Sequence, residues 1–342
     1  MSRKKTQARR IPPATAPRSR NRKTLAFDGI IFDIDNVLIN THRSYHDAIR
    51  WTVEIYLTGG SVPFFQPGRK SREPEILTPQ DVEQFKLLGG FNDDWDCCYG
   101  LLVYLLNLPT SAKTVEALKQ AIDLKDFARK VTKRPLRVHG IVARLGRSGQ
   151  VMIEKISRIF QEVYLGAELY ESLTRKEPLY WNKRGLIAKE KLIFRKSTLK
   201  KLVSLGLRLG IATGRPRYEA FYGLKRFGIL EYFEAITTMD EVKKAEREQR
   251  QSLRKPHPYS ILETAKKLGA GKRFLYVGDL PDDILAAREA KSTLNIRSAG
   301  LPGVGRMTSE EARAEMIKAK PDFILKKPSD LGTILFQKSL PI

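Results

Sequence analysis

The regular alternation of helical and apolar segments after residue 196 constrains the fold of this 342-residue chain more than any other sequence feature. Helical patterns occupy 197–205, 217–227, 258–268, 282–290, 308–318 and 328–336. Short apolar runs typical of strands occupy 207–212, 233–237, 273–277, 293–297 and 322–325. Such alternation is typical of a parallel sheet covered by helices on both faces. We therefore predict an α/β fold with a Rossmann-like parallel sheet.

One further apolar run, LAFDGIIFD at 25–33, has the β-branched and aromatic composition of a buried strand. A lone strand among helices would leave its backbone groups unpaired, so we expect it to join the later sheet. The stretch between them contains helix-like segments at 46–57, 79–88, 114–131 and 150–164. We therefore predict one α/β core, formed by residues 25–40 and 195–342, that is split by a mainly helical insert at 41–194.

The first 24 residues differ in composition from the rest of the chain. They hold nine of the 62 basic residues and none of the 38 acidic ones. Prolines and a shortage of large apolar side chains leave residues 1–24 little surface to bury, so we predict a disordered tail. Nonspecific polyanion contact, organelle targeting and a solvated tail without a partner are its alternative interpretations. The remaining 53 basic residues still exceed the 38 acidic ones by 15, a balance that attracts phosphorylated anions generally.

Composition excludes several classes of protein. The longest apolar run, from Leu101 to Leu106, is far shorter than the roughly 20 residues that a membrane span needs. No apolar signal segment follows the basic N-terminus. Cys97 and Cys98 are adjacent and lack the spacing of metal ligands, so we expect two reduced thiols in a cytoplasmic protein. Membrane proteins, disulfide-rich secreted domains and zinc ribbons are therefore disfavoured.

Polar groups follow several of the predicted strands. Asp33 and Asp35 end the first strand, at the sheet edge where α/β proteins bind their ligands. Acidic residues also end strands as turn formers, so this pair alone is weak evidence. Three further groups are Thr213-Gly214-Arg215 after strand 207–212, Lys255 in a loop before a helix, and the Gly278–Asp283 segment after strand 273–277. Four such groups rarely occur in this order by chance.

The four groups resemble the motifs of the haloacid dehalogenase superfamily. The matching patterns are DxDxV at 33–37, two hydrophobic residues with Thr-Gly at 211–214, Lys255, and GDxxxD at 278–283. The chain is most similar to subfamily IA, the phosphoglycolate phosphatase-like hydrolases, and its insert falls where their helical cap lies. One departure is Asn36, because this position is commonly glycine. Asparagine adopts a positive φ better than most residues, so we expect the motif to tolerate it.

The resemblance implies roles in the hydrolysis of a phosphate ester. Asp33 would be the nucleophile that forms an aspartyl-phosphate, and Asp35 would act as the general acid and then the general base. Thr213 and the amide of Gly214 would hold phosphate oxygens. Lys255 would neutralise the negative charge that develops on the phosphoryl group and on Asp33.

The resemblance also implies a magnesium ion. It would bind the carboxylates of Asp33 and Asp279 and the backbone carbonyl of Asp35, with Asp283 as a ligand or as a support for one. Dehalogenases of the family usually lack the second aspartate, so Asp35 favours a phosphatase. The sequence thus predicts a Mg²⁺-dependent hydrolase of a small phosphorylated metabolite, such as phosphoglycolate or a sugar phosphate.

Two alternatives remain open at this stage. A phosphomutase would use the same residues and return the phosphoryl group to a second hydroxyl. A nucleic-acid-binding protein, or one that processes nucleic-acid phosphate ends, would explain the net charge of +24. The sequence lacks the interleaving of aromatic and basic residues that is typical of base-stacking surfaces. It also retains every acidic motif residue, so a phosphatase is favoured.

Several other residues are candidates for substrate contact. They are His42, Arg43, Phe91, Asn92, Trp95, Arg215 and Arg217. His42 and His46 have helical i, i+4 spacing, which predicts both rings on one helix face beside the catalytic acids, with a metal pair as a weaker alternative. Arg215 and Arg217 follow the predicted phosphate-binding threonine, and two guanidinium groups there would suit a second anionic group of the substrate.

Overall fold

The structure is a computed structural model, and it describes residues 25–60, 63–67, 72–91, 93–131, 136–146, 149–269, 271–303 and 309–336. The basic segment 1–24, the candidate Asn92 and residues 337–342 lie outside the described residues. Among the helices that are described, none is both long enough and apolar enough to cross a membrane.

A parallel sheet forms the centre of the molecule. The described strands are β1 (Gly29–Phe32), β2 (Ile39–Asn40), β3 (Lys191–Leu192), β4 (Arg208–Ala212), β5 (Ala235–Thr237), β6 (Phe274–Gly278), β7 (Ile296–Gly300) and β8 (Phe323–Ile324). Six of them form one sheet in the order β5-β4-β1-β6-β7-β8, and every neighbouring pair is parallel. The predicted α/β fold with a Rossmann-like parallel sheet is confirmed.

Helices surround this sheet and make up most of the insert. Those of the insert are α1 (His42–Thr58), α2 (Pro79–Lys86), α3 (Asp94–Leu106), α4 (Val115–Ala121), α5 (Leu124–Lys130), α6 (Arg137–Leu145), α7 (Ile153–Leu165) and α8 (Ala167–Thr174). Those of the sheet domain are α9 (Lys196–Ser204), α10 (Arg217–Arg226), α11 (Met239–Gln249), α12 (Tyr259–Leu268), α13 (Pro281–Ala290), α14 (Ser309–Lys318) and α15 (Leu331–Ile334). Short 3₁₀ turns lie at Leu186–Lys189, Leu230–Tyr232 and Pro328–Asp330.

Strand β1 lies at the point where the strand order reverses. The chain runs outward from β1 through β4 to β5 and then crosses to the other side for β6, β7 and β8. In β1, Phe32 lies in register with Ile211 of β4 and with Val277 of β6. The residues that follow these three strands therefore meet at one edge, which is where open α/β sheets bind ligands.

The hydrophobic residues form separate clusters in the insert and around the sheet. One cluster contains only buried residues between Ala48 and Ile187. Two others combine residues 27–39 with residues 194–335 on the two sides of the sheet. The predicted boundaries, a core of 25–40 and 195–342 and an insert of 41–194, remain a proposal that these separate clusters support.

Local capping explains where the structure departs from the predicted elements. The segment 114–131 is two helices rather than one, because Ile122 is extended and the Asp123 side chain accepts a hydrogen bond from the backbone N–H of Asp126 at the start of α5. Helix α11 was not predicted. Its start is a capping box in which Glu241 Oε2 accepts hydrogen bonds from the backbone N–H of Thr238 at 2.8 Å and from the Thr238 hydroxyl, a signal that the sequence does contain.

Candidate active site

Asp33 follows β1 at the centre of the sheet edge. Its backbone N–H donates to the carbonyl of Val277 over 2.9 Å, which continues the ladder one residue past the strand. The side chain is buried, and Lys255 Nζ lies 3.0 Å from its Oδ1. The same ammonium lies 2.8 Å from Asp283 Oδ1. Lys255, from the loop between α11 and α12, thus joins the residues that follow β1 and β6.

The start of α13 fixes Asp283. Its Oδ2 accepts hydrogen bonds from the backbone N–H groups of Asp279 at 3.1 Å and Leu280 at 3.0 Å. The hydroxyl of Tyr276 donates to Oδ1 over 2.8 Å. A Cβ on Gly278 would lie 2.3 Å from the Asp283 Cβ, so only glycine permits this close approach. The glycine of the GDxxxD pattern therefore allows Asp283, the second aspartate of that pattern, to take this position.

Three carboxylates at this edge form a cluster that suits a metal. One oxygen from each of Asp33, Asp279 and Asp283 lies within 4.8 Å of the others, and all three residues are buried. Asn36 Nδ2 donates to Asp279 Oδ2 over 3.3 Å. Carboxylate oxygens are hard ligands of the kind that Mg²⁺ prefers, so the donor set fits that ion.

The charges within the cluster oppose one another. Burial raises the pKa of Asp33 well above the usual range, Lys255 lowers it, and the carboxylates of Asp283, Asp35 and Asp279 raise it further. Burial alone would lower the pKa of Lys255, but the carboxylates of Asp283 and Asp33 hold it well above its usual value. The site therefore keeps one ammonium charged and has an excess of negative charge for a cation to balance.

The turn after β1 contains Asn36 in the left-handed region, at φ 53°. Its Oδ1 accepts hydrogen bonds from the backbone N–H of Thr41 at 3.2 Å and from the Thr41 hydroxyl at 3.3 Å. The expected positive φ is therefore present. Because its amide also reaches Asp279, asparagine connects the turn to the acidic cluster in a way that glycine could not.

Thr213 and Gly214 follow β4, the neighbour of β1. Thr213 is buried, its backbone N–H donates to the Thr237 carbonyl over 3.0 Å, and its hydroxyl accepts from the backbone N–H of Arg215 over 3.2 Å. Gly214 is exposed, and a Cβ there would approach only Met239, at 3.9 Å. The backbone of Gly214 is therefore accessible to solvent at the same sheet edge.

Arg215 is buried beside Asp35, a contact that the sequence pattern does not predict. Its Nε and Nη2 lie 2.8 Å and 2.7 Å from Asp35 Oδ1, and Nη2 also lies 2.9 Å from Glu190 Oε1. Glu190 in turn accepts from the hydroxyls of Tyr164 at 2.8 Å and Ser44 at 3.3 Å. No local sequence signal identifies Glu190, because it meets Arg215 only through the tertiary fold.

The other candidates for substrate contact have different surroundings. The rings of His42 and His46 lie 4.3 Å apart on α1, as their spacing predicts, and Arg43 is exposed. Phe91 is fully buried in the hydrophobic cluster of the insert, 4.7 Å from the ring of Phe85. The structure therefore places Phe91 in packing, not on a surface that a substrate could reach.

Trp95 and Arg217 face other charged groups. Trp95 is partly buried, and Lys243 Nζ of α11 lies 5.9 Å from its ring, so this part of the insert contacts the sheet domain. Arg217 is exposed, and its Nη1 lies 2.8 Å from Glu241 Oε1. The two arginines expected to grip one anion are thus both engaged in ion pairs with protein carboxylates.

The chain belongs to the haloacid dehalogenase-like hydrolase family, whose model matches residues 27–291. It is 34% identical over 139 residues to the pyrophosphatase PpaX of Bacillus pumilus, a match that covers 40% of this chain and 56% of that protein. It is 31% identical over 142 residues to the phosphoglycolate phosphatase of Agrobacterium fabrum, covering 41% of this chain and 53% of that protein. The chain thus spans about half the length of these relatives.

Solved structures share the fold at low identity. Phosphatase Tt82 from Thermococcus thioreducens superposes with a TM-score of 0.56 at 22% identity, covering 84% of this chain and 98% of that one. A structure described as a predicted phosphoglycolate phosphatase from Haemophilus somnus 129PT gives a TM-score of 0.51 at 18% identity, covering 90% of this chain and 97% of that one. At these identities the likeness concerns the fold alone.

Proposed function

We propose that this protein is a Mg²⁺-dependent phosphatase that hydrolyses a small phosphate monoester through an aspartyl-phosphate on Asp33. The observation that carries the proposal is the arrangement at the end of β1. There the Asp33 carboxylate lies 3.0 Å from the Lys255 ammonium and within 4.8 Å of oxygens from Asp279 and Asp283. A nucleophile, a cation and a metal-binding donor set thus occupy one point on the sheet edge.

In the first step, an Asp33 oxygen attacks phosphorus, and the bond from phosphorus to the ester oxygen breaks. Asp35 gives its proton to the departing oxygen, which leaves as an alcohol. Lys255 offsets the negative charge shared between the phosphoryl oxygens and Asp33. Thr213 and the exposed Gly214 backbone would hold the phosphoryl oxygens at the neighbouring strand end.

In the second step, water attacks the phosphorus of the aspartyl-phosphate. Asp35, now ionised, takes the proton from that water, and the bond between phosphorus and the Asp33 oxygen breaks. Inorganic phosphate leaves, and Asp33 and Asp35 return to their starting states. The Asp35 carboxyl group therefore donates a proton in the first step and accepts one in the second.

Mg²⁺ held by Asp33 and Asp279, with Asp283 as ligand or support, would supply the positive charge that offsets the excess of carboxylates. The Asp35 backbone carbonyl is the further ligand that the family resemblance implies. Lys255 alone faces both Asp33 and Asp283 among the described ion pairs of this cluster. Metal dependence is therefore part of the proposal.

A small substrate is favoured because the insert contacts the sheet domain beside the site. Arg254, next to Lys255, lies 3.6 Å from Asp93 of the insert, and Trp95 faces Lys243. These contacts restrict access from that side, and exclusion of water from the site would strengthen its electrostatics. The names of the two relatives place phosphoglycolate and pyrophosphate in the first assay. A cytoplasmic location remains a prediction, in keeping with the buried free thiols of Cys97 and Cys98.

The test is release of inorganic phosphate from a panel of phosphate esters and one phosphoanhydride, pyrophosphate, with Mg²⁺ and with EDTA. The panel contains phosphoglycolate, pyrophosphate, sugar phosphates, nucleotides, an alkyl and an aryl phosphate, and a 3′-phosphorylated oligonucleotide. We expect metal-dependent release that Asp33→Asn abolishes. Asp28→Asn is the matched control, because Asp28 precedes the same strand and pairs with Arg273 at the opposite end of the sheet.

Three results would contradict the proposal. Phosphate release that persists in Asp33→Asn would show that hydrolysis does not pass through an aspartyl-phosphate on Asp33. Absence of release from every ester, together with conversion of a sugar phosphate into its isomer, would indicate a phosphomutase instead. Preference for the phosphorylated oligonucleotide over every small ester would replace the proposed substrate class with nucleic-acid ends.

A further inference from the structure

Arg215 forms buried ion pairs with Asp35, the proposed acid, and with Glu190. The mechanism above gives no role to Arg215 or Glu190. The Arg215 side chain is 1% exposed and that of Glu190 is 0% exposed. Taking charges out of water carries a large free-energy cost, and well-packed apolar residues would often be as stable. Stability alone is therefore a weak reason for this arrangement.

The geometry points to a particular task for the guanidinium group. Its Nε and Nη2 both contact one oxygen of Asp35, Oδ1, at 2.8 Å and 2.7 Å. Two donors on one oxygen hold Oδ1 in place and leave Oδ2 as the oxygen to carry the proton. Arginine offers a rigid, planar set of donors, so its own orientation sets that of its partner.

Arg215 is itself held from the opposite side. Glu190 accepts from Nη2 at 2.9 Å, and it directly precedes β3, which pairs with β2 after the DxDxV motif. The Tyr45 ring lies 5.5 Å from the guanidinium carbon. The guanidinium is thus fixed by the two segments that connect the insert to the sheet domain.

We propose that Arg215 is a positioning residue that orients the Asp35 carboxyl for proton transfer to the departing ester oxygen, and that Glu190 fixes Arg215 for this purpose. The inference rests on the proposed function and deepens it. It concerns one proton only: Asp35 Oδ2 gives it to the ester oxygen as the bond to phosphorus breaks.

The readout is the dependence of kcat/KM on the leaving group. An alkoxide is strongly basic and needs the proton, whereas p-nitrophenolate leaves without help. We therefore expect Arg215→Lys to lower kcat/KM for an alkyl phosphate by about 10-fold to 100-fold more than for p-nitrophenyl phosphate. This is at or below the lower end of the roughly 10²-fold to 10⁴-fold that a general acid contributes, because Asp35 itself remains in place. Lysine keeps the charge, but a single nitrogen cannot reproduce the two contacts to Asp35 while reaching Glu190.

Arg273→Lys is the matched control, because Arg273 also pairs with an aspartate, Asp28, at the far end of the sheet. We expect this variant to retain the wild-type ratio of the two esters. Glu190→Gln is a second variant that keeps the size of the side chain and its hydrogen bonds from Tyr164 and Ser44. We expect it to shift the ester ratio in the same direction as Arg215→Lys. If Arg215→Lys shows no cooperative unfolding, Glu190→Gln decides the question.

Equal losses on both esters in a folded variant, or no loss on either, would overturn the role of Arg215. Asp33→Asn in the same assay separates this failure from that of the proposed function. If Asp33→Asn is inactive on both esters, the phosphatase stands and only the positioning role falls. If Asp33→Asn remains active, the proposed function and the inference fall together.

Discussion

At the scale of single residues, the site depends on side chains that perform two tasks at once. Lys255 bridges Asp33 and Asp283, and Asn36 both makes the turn after β1 and contacts Asp279. The DxDxV pattern and the lysine were recognisable in the sequence because the family uses them at fixed positions. The second task of Asn36 was not, because Asp279 is 243 residues away in the chain.

Two substitutions of Asn36 test backbone strain, because both remove the same side-chain contacts. Its φ of 53° is costly for a residue with a Cβ and easy for glycine. Asn36→Gly and Asn36→Ala both lose the side-chain hydrogen bonds, so they differ in backbone preference. We expect Asn36→Ala to have a free energy of unfolding lower than that of Asn36→Gly by about 1 kcal/mol. Urea titrations of the two variants measure the difference, and equal stabilities would contradict a strained turn.

At the scale of helices and strands, the sequence predicts the centre of the sheet better than its surroundings. Strands β1, β4 and β6 are buried on both faces, so their apolar runs are continuous and easily recognised. Strand β7 begins at Ile296, three residues later than predicted, because Thr293 and Leu294 close the end of α13 with hydrogen bonds to Ala290. The two-residue strands β2 and β3 have no sequence pattern, since their pairing depends on where the insert begins and ends.

The residues of the candidate site also divide into those that the sequence predicts and those that it does not. The strand-end residues were predictable because parallel strands in register bring their ends together. The Arg215 cluster was not, because its partners come from α1, α7 and the segment before β3. Sequence patterns describe each helix separately, whereas these contacts depend on how the insert packs against the sheet domain.

Helix α10 provides a pH-dependent test of this packing. Burial raises the pKa of Glu219 from 4.5 to about 7; Arg215 opposes the rise, and Asp35 and Glu190 add to it. The folded protein therefore keeps a proton on Glu219 that the unfolded chain loses near pH 4.5, so this residue's contribution to stability falls between pH 4.5 and 7. Glutamine cannot ionise and avoids this loss. We expect the stability of Glu219→Gln relative to wild type to rise from pH 4.5 to pH 8.

Urea titrations at several pH values measure that relative stability. Glu231→Gln is the control, because Glu231 is exposed on the 3₁₀ turn Leu230–Tyr232, and we expect its relative stability to change less with pH. A relative stability of Glu219→Gln that stays flat across this range would contradict a raised pKa for Glu219.

Across the molecule as a whole, the insert and the sheet domain have separate hydrophobic clusters and meet near the site through both aromatic and charged contacts. Tyr218 and Tyr222 of α10 pack against the insert cluster, and Arg254 faces Asp93. The ion pair between Arg254 and Asp93 is easier to open than a hydrophobic contact, because water can replace each ionic partner. The arrangement suits a site that must admit a substrate and then exclude water.

The uneven charge of the chain allows the predicted polyanion contact to be tested separately from catalysis. Residues 1–24 hold nine basic residues and no acidic ones, whereas the proposed catalytic residues all lie beyond residue 32. Retention on a polyanion depends on counterion release and falls steeply with salt. We expect deletion of residues 1–24 to lower the salt concentration that elutes the protein from a nucleic-acid column, and to leave kcat/KM for the best small ester within about twofold, because local charges act over about a Debye length.

A matched variant makes this comparison specific to charge. Replacing the nine basic residues of 1–24 with glutamine keeps the length of the segment, and we expect it to elute as the deletion does. If both variants bind the column as tightly as wild type, residues 1–24 make no polyanion contact, and the retention is due to the remaining net charge of +15. If either variant loses turnover of the small ester, the segment takes part in catalysis, and the assignment of activity to the sheet domain and its insert alone is incorrect.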